Sequence, residues 1–376
     1  MIYFDCAATT LQKPSSVGKA AVTAMKTAAS PGRGSHPAAM KAADIIFACR
    51  QAAARLFEVD TPDQVVLTSN ATHGLNIAIK TLVKPGGSVL ISGYEHNAVT
   101  RPLAAIPGVR VRVVDTPLFQ PEAFLERFQK ELERETPGCV ICTHVSNVFG
   151  YVLPVEEVAE LCRDQQVPLI LDASQAAGVQ PISMEKLGAA FIAMPGHKSL
   201  YGPQGTGLLL CGKDQLGDPL MEGGTGSLSA QPTMPDFLPD RLEAGTHNVP
   251  GAAGLLQGIR FVQETGLRNI RSHENRLKAM AADGLRKLAP VEVFDKAGPV
   301  QAGVLSFRVK GRDCSAVGDL LSRRQIAVRT GLHCAPLAHR TAGTQETGTV
   351  RLSFSAFNNE REVEAFLKVM GRETFV

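Results

Sequence analysis

The 376 residues exceed one ordinary domain of about 150 and predict two, one of them large. At 44% hydrophobic and 20% charged, with 35 glycines and 23 prolines, the chain has ample material for a core, which excludes a disordered or collagen-like protein. The balance of 39 basic against 36 acidic residues leaves no electrostatic footprint for nucleic acid or an anionic membrane, and neither is expected as a partner.

The opening run MIYFDCAATT has no basic n-region and leads into no apolar stretch of signal or spanning length. Residues 38–57 then read as a helix. From 60 to 211 short apolar runs recur: QVVLT, SVLIS, RVRVV, CVICT, PLILD, AFIAM and TGLLLC. Their length and continuity predict a buried, largely parallel sheet. Between them Leu75, Ala78, Ile79 and Leu82, and again Val155, Val158, Ala159 and Cys162, keep helical spacing. Such alternation predicts α/β layering, with helices flanking the sheet. Residues 212–250 read as a loop-rich rim, and 251–289 carry long helical periodicity. GVLSFRV, AVGDLLSRR and REVEAFLKVM then predict a smaller C-terminal α+β domain. The boundaries expected are 15–255 for the large domain and 256–376 for the small one, joined by 1–14.

Eight cysteines scattered over so long a chain do not make a disulfide scaffold, and they point to reduced thiols in a cytoplasmic protein. Cys139 and Cys142 form a lone CxxC inside a strand-like run, where positions three apart face opposite sides. No shared metal, and no metal site at all, is expected.

In open α/β sheets ligands sit beyond the carboxyl ends of the strands, so polar residues that end apolar runs are the candidate site. In TSNATHGLN a helix begins near Ala71, and the N–H groups of Ala71 and Thr72 suit a phosphate or belong to an ordinary capped helix. Asp172 ends the apolar run PLILD, with Gln175 three residues on. A carboxylate there calls for a cation, a donor or a ligand, a protonated pyridine nitrogen among them, or serves as a helix cap. The turn MPGHKSLYGPQG carries His197 and Lys198 between two strands. Burial there favours a lysine that bonds an aldehyde.

Taken in order, these segments resemble a fold-type I pyridoxal phosphate (PLP) enzyme of the class V aminotransferase group, over nearly the whole chain. The resemblance implies Lys198 as the lysine bonded to the cofactor's aldehyde, Asp172 as partner of its ring nitrogen and Gln175 as partner of its phenolic oxygen. His96, in SGYEHNAV, takes the place of the histidine that stacks on the ring and exchanges protons. Asn147, in HVSNVFG, lies beside substrate. Ala71, Thr72 and His197 hold the phosphate, and Thr246, in EAGTHNVPG, reaches the phosphate of the opposite subunit, which implies a homodimer. Pro195 and Ala71 stand where many relatives carry hydroxyl residues, so backbone donors carry more of the phosphate and weaker cofactor retention is expected.

The run RTGLHCAPLAHR resembles the active-site loop of cysteine desulfurases, the group with a short cysteine loop, although Pro336 follows Ala335 directly. Cys334 is the implied nucleophile. Arg329 and His333 favour its thiolate, and Gly331 lets it move. By the same resemblance Arg351, which alternates with apolar residues in TVRLSFS, holds the amino acid's carboxylate, and Arg329 lies with the substrate. Arg33 and His36 line the entrance, and Cys6 lies near the substrate carboxylate or only packs. The implied reaction converts L-cysteine to L-alanine with a persulfide on Cys334, passed to a sulfur-acceptor protein. Selenocysteine lyase, or another class V aminotransferase or lyase reaction, uses the same residues.

Overall fold

The computed structural model describes residues 1–32 and 34–372. Strand β1 (Ile2–Tyr3) stands apart from a central sheet built from β2 (Val65–Thr68), β3 (Ser88–Ser92), β4 (Arg110–Val114), β5 (Cys139–Thr143), β6 (Leu169–Asp172), β7 (Phe191–Pro195) and β8 (Gly207–Cys211). Their spatial order is β2-β8-β7-β6-β5-β3-β4. The five strands from β7 to β4 are mutually parallel, and β8 runs antiparallel to both of its neighbours. Every residue of β5 to β8 is buried, as apolar runs without alternation require of a sheet covered on both faces.

The two faces carry separate cores. Val140 and Cys142 face one, Cys139 and Ile141 the other. The CxxC cysteines therefore point to opposite sides, and no metal-binding group of His, Cys, Asp or Glu occurs among the described residues.

Helices α1 (Ser15–Thr27) and α2 (Pro37–Leu56) pack with the helix Val249–Thr265 on the face that also buries Val140. That last helix runs unbroken through residue 255. It ends at Gly266, whose φ of +84° suits glycine, and the next helix, Leu267–Arg286, starts there. The periodicity over 251–289 thus belongs to two helices.

Beyond it lies a four-stranded antiparallel sheet. Its strands are β9 (Val291–Phe294), β10 (Val304–Val309), β12 (Arg329–Gly331) and β13 (Thr349–Ser353), in the order β12-β13-β10-β9, while β11 (Ile326–Ala327) pairs in parallel with β1. The N-terminal residues join this layer: Phe4 is fully buried in its core, and its carbonyl accepts from Ser353 N at 2.8 Å.

One glycine holds the site region together. Gly178 has φ +91°, and a Cβ there would lie 2.1 Å from the carbonyl of Ser199. The segment after Asp172 can therefore rest directly on the segment after Lys198.

No helix among the described residues is long and apolar enough to cross a membrane.

Candidate active site

The carboxyl-terminal ends of β5, β6 and β7 and the starts of two helices meet at one cavity. It is lined by Asn70, Ala71, Thr72, His96, Thr143, Asn147, Asp172, Ser174, Gln175, Pro195, His197 and Lys198 among others. All but three of the cofactor and substrate candidates fall here: Thr246, Arg329 and Arg351 do not line it.

Helix α3 (Ala71–Leu82) starts on Asn70, whose side chain caps the N–H of His73 at 2.9 Å. The amides of Ala71 and Thr72 have no protein acceptor, so two donors at the positive end of a helix point into the cavity mouth. Close by, His197 Nδ1 is buried without a partner. Burial lowers the His197 pKa to about 4, with Lys198 and Lys13 pushing the same way, so the ring is neutral and serves as a donor or acceptor rather than a charge.

Asp172 ends β6 and is almost wholly buried, and its Oδ1 accepts from Ser174 N at 2.9 Å. Lys198 follows β7 in a turn whose His197 carbonyl accepts from the amide and hydroxyl of Thr10. Loss of water around the ammonium lowers the Lys198 pKa to about 8, against the pull of Asp172. An amine that is easily made neutral is a nucleophile for an aldehyde. Gln175 donates from Nε2 to the carbonyl of Ala7 at 2.9 Å, which fixes its amide in the cavity wall.

His96 is the N-cap of α4 (Asn97–Ala104), and its Nδ1 accepts from Ala98 N at 3.0 Å. Burial lowers its pKa to about 4, against the attraction of Asp172. A neutral ring whose Nδ1 accepts carries its proton on Nε2.

Asn147 sits between the two sheets. Its Nδ2 donates to the carbonyl of His333 at 2.8 Å, and its carbonyl accepts from Arg351 Nη1 at 2.8 Å. Arg351 is fully buried and binds Asp5 Oδ1 through Nη2 at 2.8 Å, while its Nε is buried with no partner. The guanidinium is thus held between Asp5 and Asn147. Arg329 is exposed, 4.0 Å from Asp5.

Cys334 is the only exposed cysteine of the eight, all of them free. It lies in the loop between β12 and the helix Pro336–Thr341, and its carbonyl accepts from Asn97 N at 2.8 Å. His333 and Cys334 both adopt left-handed backbone (φ 50° and 56°), behind Gly331 at 95°. Non-glycine residues there cost about 1–3 kcal/mol each, so the loop is held under strain by its contacts.

His333 differs from the expectation. Its ring turns inward, stacks on His339 with centroids 5.5 Å apart, and shares a 3.0 Å hydrogen bond between Nε2 and Thr349 Oγ1. Burial drives its pKa well below the ordinary value, so it supplies no cation to the Cys334 thiol. Cys6 packs: its thiol faces Asn358 Oδ1 at 3.7 Å, and burial pushes it up to about 12. His36 caps α2 through Nδ1 on Ala39 N at 3.3 Å, and Arg33 lies outside the described residues. Thr246 lines a different cavity, with Ser69, Glu243 and His247.

Residues not anticipated from sequence are Asp5, Ser174 and Glu95. Glu95 is fully buried: its Oε1 accepts from Ser92 Oγ at 2.5 Å and Thr143 N at 2.7 Å, and its Oε2 has no partner. Burial, with Asp172 nearby, pushes its pKa up to about 8. The only sequence signal was a charged residue directly after the apolar run SVLIS and its turn.

The parallel sheet with a lysine, a carboxylate and free helix amides at its carboxyl edge is the arrangement of the class V aminotransferases. The family's profile, Aminotransferase class-V, matches residues 2–366, and the chain belongs to that family. Probable cysteine desulfurases of Pyrococcus abyssi (30% identical) and Xylella fastidiosa strain 9a5c (32%) are similar over 98% of this chain and 93% and 90% of theirs. The apo structure of the cysteine desulfurase from Thermococcus onnurineus superposes with a TM-score of 0.90 at 31% identity, over 98% of this chain and 94% of that one. Class V aminotransferases are PLP enzymes.

Proposed function

We propose that the protein is a PLP-dependent cysteine desulfurase that converts L-cysteine to L-alanine, takes the sulfur onto Cys334 as a persulfide and passes it to a sulfur-acceptor protein. One observation carries the reading: Lys198, Asp172 and His96 share a cavity, and the one exposed cysteine is tied by its carbonyl to the residue after His96.

The donor set fits the cofactor. The partnerless His197 Nδ1 and the amides of Ala71 and Thr72 suit a phosphate, buried Asp172 suits a protonated ring nitrogen, and Lys198 suits an aldehyde. Bound there, PLP supplies an electron sink for the amino acid's carbon skeleton.

The chain's own groups do the rest. Lys198, readily neutral, would hold the aldehyde and move protons at the substrate carbon. Buried Asp172 would hold the ring nitrogen. His96 would offer the Nε2 proton, Gln175 would meet the phenolic oxygen, and Asn147, Arg351 and Arg329 would hold the amino acid, with Arg351 Nε one donor that has no protein partner. In the sulfur step the substrate's Cβ–S bond breaks, an S–S bond forms to the Cys334 thiolate, and the thiol protons end on alanine and solvent-exchangeable sites. One cysteine and one protein thiol thus balance one alanine and one persulfide.

Thr246 lies exposed outside the Lys198 cavity of its own chain, which supports a homodimer in which it reaches the partner's phosphate. Eight free cysteines support a reducing, cytoplasmic setting. Purified protein given L-cysteine and a reductant tests the reading. Alanine and sulfide in equal amounts are expected, and pyruvate with ammonia would replace desulfuration by β-elimination.

A further inference from the structure

Asn147 occupies two places at once. Its side chain lines the Lys198 cavity, and its Nδ2 holds the His333 carbonyl at 2.8 Å. The loop it holds has two successive non-glycine residues in left-handed backbone, a conformation that persists only when its surroundings impose it. Those surroundings are few: Asn147 Nδ2 on the His333 carbonyl, Asn97 N on the Cys334 carbonyl, Ala335 N on the Leu332 carbonyl, and the His333 ring on Thr349 and His339. Of these, Asn147 alone contributes a side-chain group that also lines the cavity. Its own backbone is fixed by Arg351 Nη1, so the amide can turn without displacing the chain.

We propose that Asn147 is a positioning residue for Cys334: its amide latches the strained loop, and an amino acid that draws the amide into the cavity releases the loop carrying the thiol. The proposal rests on the reading above for the identity of the ligand, but not for the latch itself. It makes the sulfur acceptor mobile only when a substrate is in place, since the strained conformation relaxes once one of its few restraints is withdrawn. A ligand with no contact to Asn147 would leave the loop where it is.

The test is amide hydrogen exchange over residues 332–335 of the holoenzyme, with the cofactor's absorbance followed in the same samples. Asn147→Asp keeps the shape and removes the donor. Without added amino acid it is expected to speed exchange of that loop about five- to tenfold, the worth of one neutral hydrogen bond. Saturating L-alanine is expected to speed exchange in the wild type by a similar factor and to add nothing in Asn147→Asp. Thr349→Val loosens the His333 ring and leaves Asn147 in place, so it is expected to raise the baseline yet keep the response to L-alanine. A purely structural role for Asn147 would raise its baseline without abolishing that response. Wild-type exchange in Asn147→Asp, an equal alanine response in both proteins, or loss of the response in Thr349→Val overturns the latch. An absorbance unmoved by L-alanine counts against the desulfurase reading instead, and the amino-acid-free comparison still decides the latch.

Discussion

The backbone N–H of Asn97 donates to the carbonyl of Cys334 at 2.8 Å, and Asn97 directly follows His96, whose ring lines the Lys198 cavity. A thiol placed in the sequence 136 positions after Lys198 is thereby tied to the edge of the same cavity, while the other seven thiols lie buried.

From this follows the behaviour of two cysteine variants. Cys334→Ala is expected to keep the yellow cofactor and lose L-cysteine desulfuration by roughly a hundredfold or more. Cys6→Ala, which removes a packed thiol, is expected to stay within a few-fold of wild type. Parallel assays of alanine and sulfide check both, and undiminished sulfide from Cys334→Ala would remove that residue from the mechanism.

Lys198 sets a pH dependence on the cofactor-free protein. Its folded pKa is lowered to about 8 from an ordinary 10.5, so between these values the unfolded chain binds a proton that the folded chain does not. Stability from this group therefore rises with pH over that window, by a total on the order of 3 kcal/mol. Thermal melts at pH 7.5 to 10.5 are expected to show the rise in the wild type and a flatter curve in Lys198→Met, which also fails to turn yellow with PLP.

Glu95 acts with the opposite sign. Its pKa is raised to about 8, so the folded chain holds a proton the unfolded chain has released, and stability falls as pH climbs from 4.5 to 8. Glu95→Gln keeps an acceptor for Ser92 and Thr143 without the ionisation. Its Tm is expected to match wild type near pH 4 and to exceed it increasingly up to pH 8. Equal Tm values at pH 8 would mean that the carboxyl ionises there without cost.

Four histidines that lose water on folding, two of them buried, make the fold acid-sensitive. Burial lowers His96, His144, His197 and His339 to about 4, so each contributes stability that is complete above pH 6.5 and lost as pH falls toward 4. Chemical unfolding at pH 5 is expected to take up more than one proton per chain, which a pH-indicator titration of the unfolding step measures.

A network apart from the Lys198 cavity carries stability. Glu243 Oε1 accepts from Arg50 Nη1 at 2.7 Å, and its Oε2 meets His247 Nε2 at 2.5 Å, all largely out of water. Glu243→Ala leaves the Arg50 charge buried and unpaired, and is expected to cost about 3–5 kcal/mol in denaturant unfolding. Replacing Arg50 and Glu243 together by apolar residues is expected to cost less than this single change.

The largely parallel sheet and most of the cavity were legible in the amino-acid pattern alone. Apolar runs such as PLILD and AFIAM have the length and continuity of strands buried on both faces, and the residues that end them, Asp172 and the His197–Lys198 turn, then lie at one edge. Helical spacing likewise placed Ala71 and Thr72 at a helix start.

Packing alone sets what meets across the chain. Asp5 lies 346 positions from the Arg351 it pairs with, Asn147 lies 186 from the His333 carbonyl it holds, and neither distance leaves a periodic trace. Local pattern also misplaced His333, which sits beside the thiol in sequence yet turns into the core against His339 and Thr349. A charge after SVLIS and its turn was the one hint of Glu95, and it did not foretell burial near Asp172. Strand and helix periods report which face of an element is apolar. Which polar groups two faces bring together depends on how the elements pack, and here that packing ties the loop of Cys334 to the cavity of Lys198.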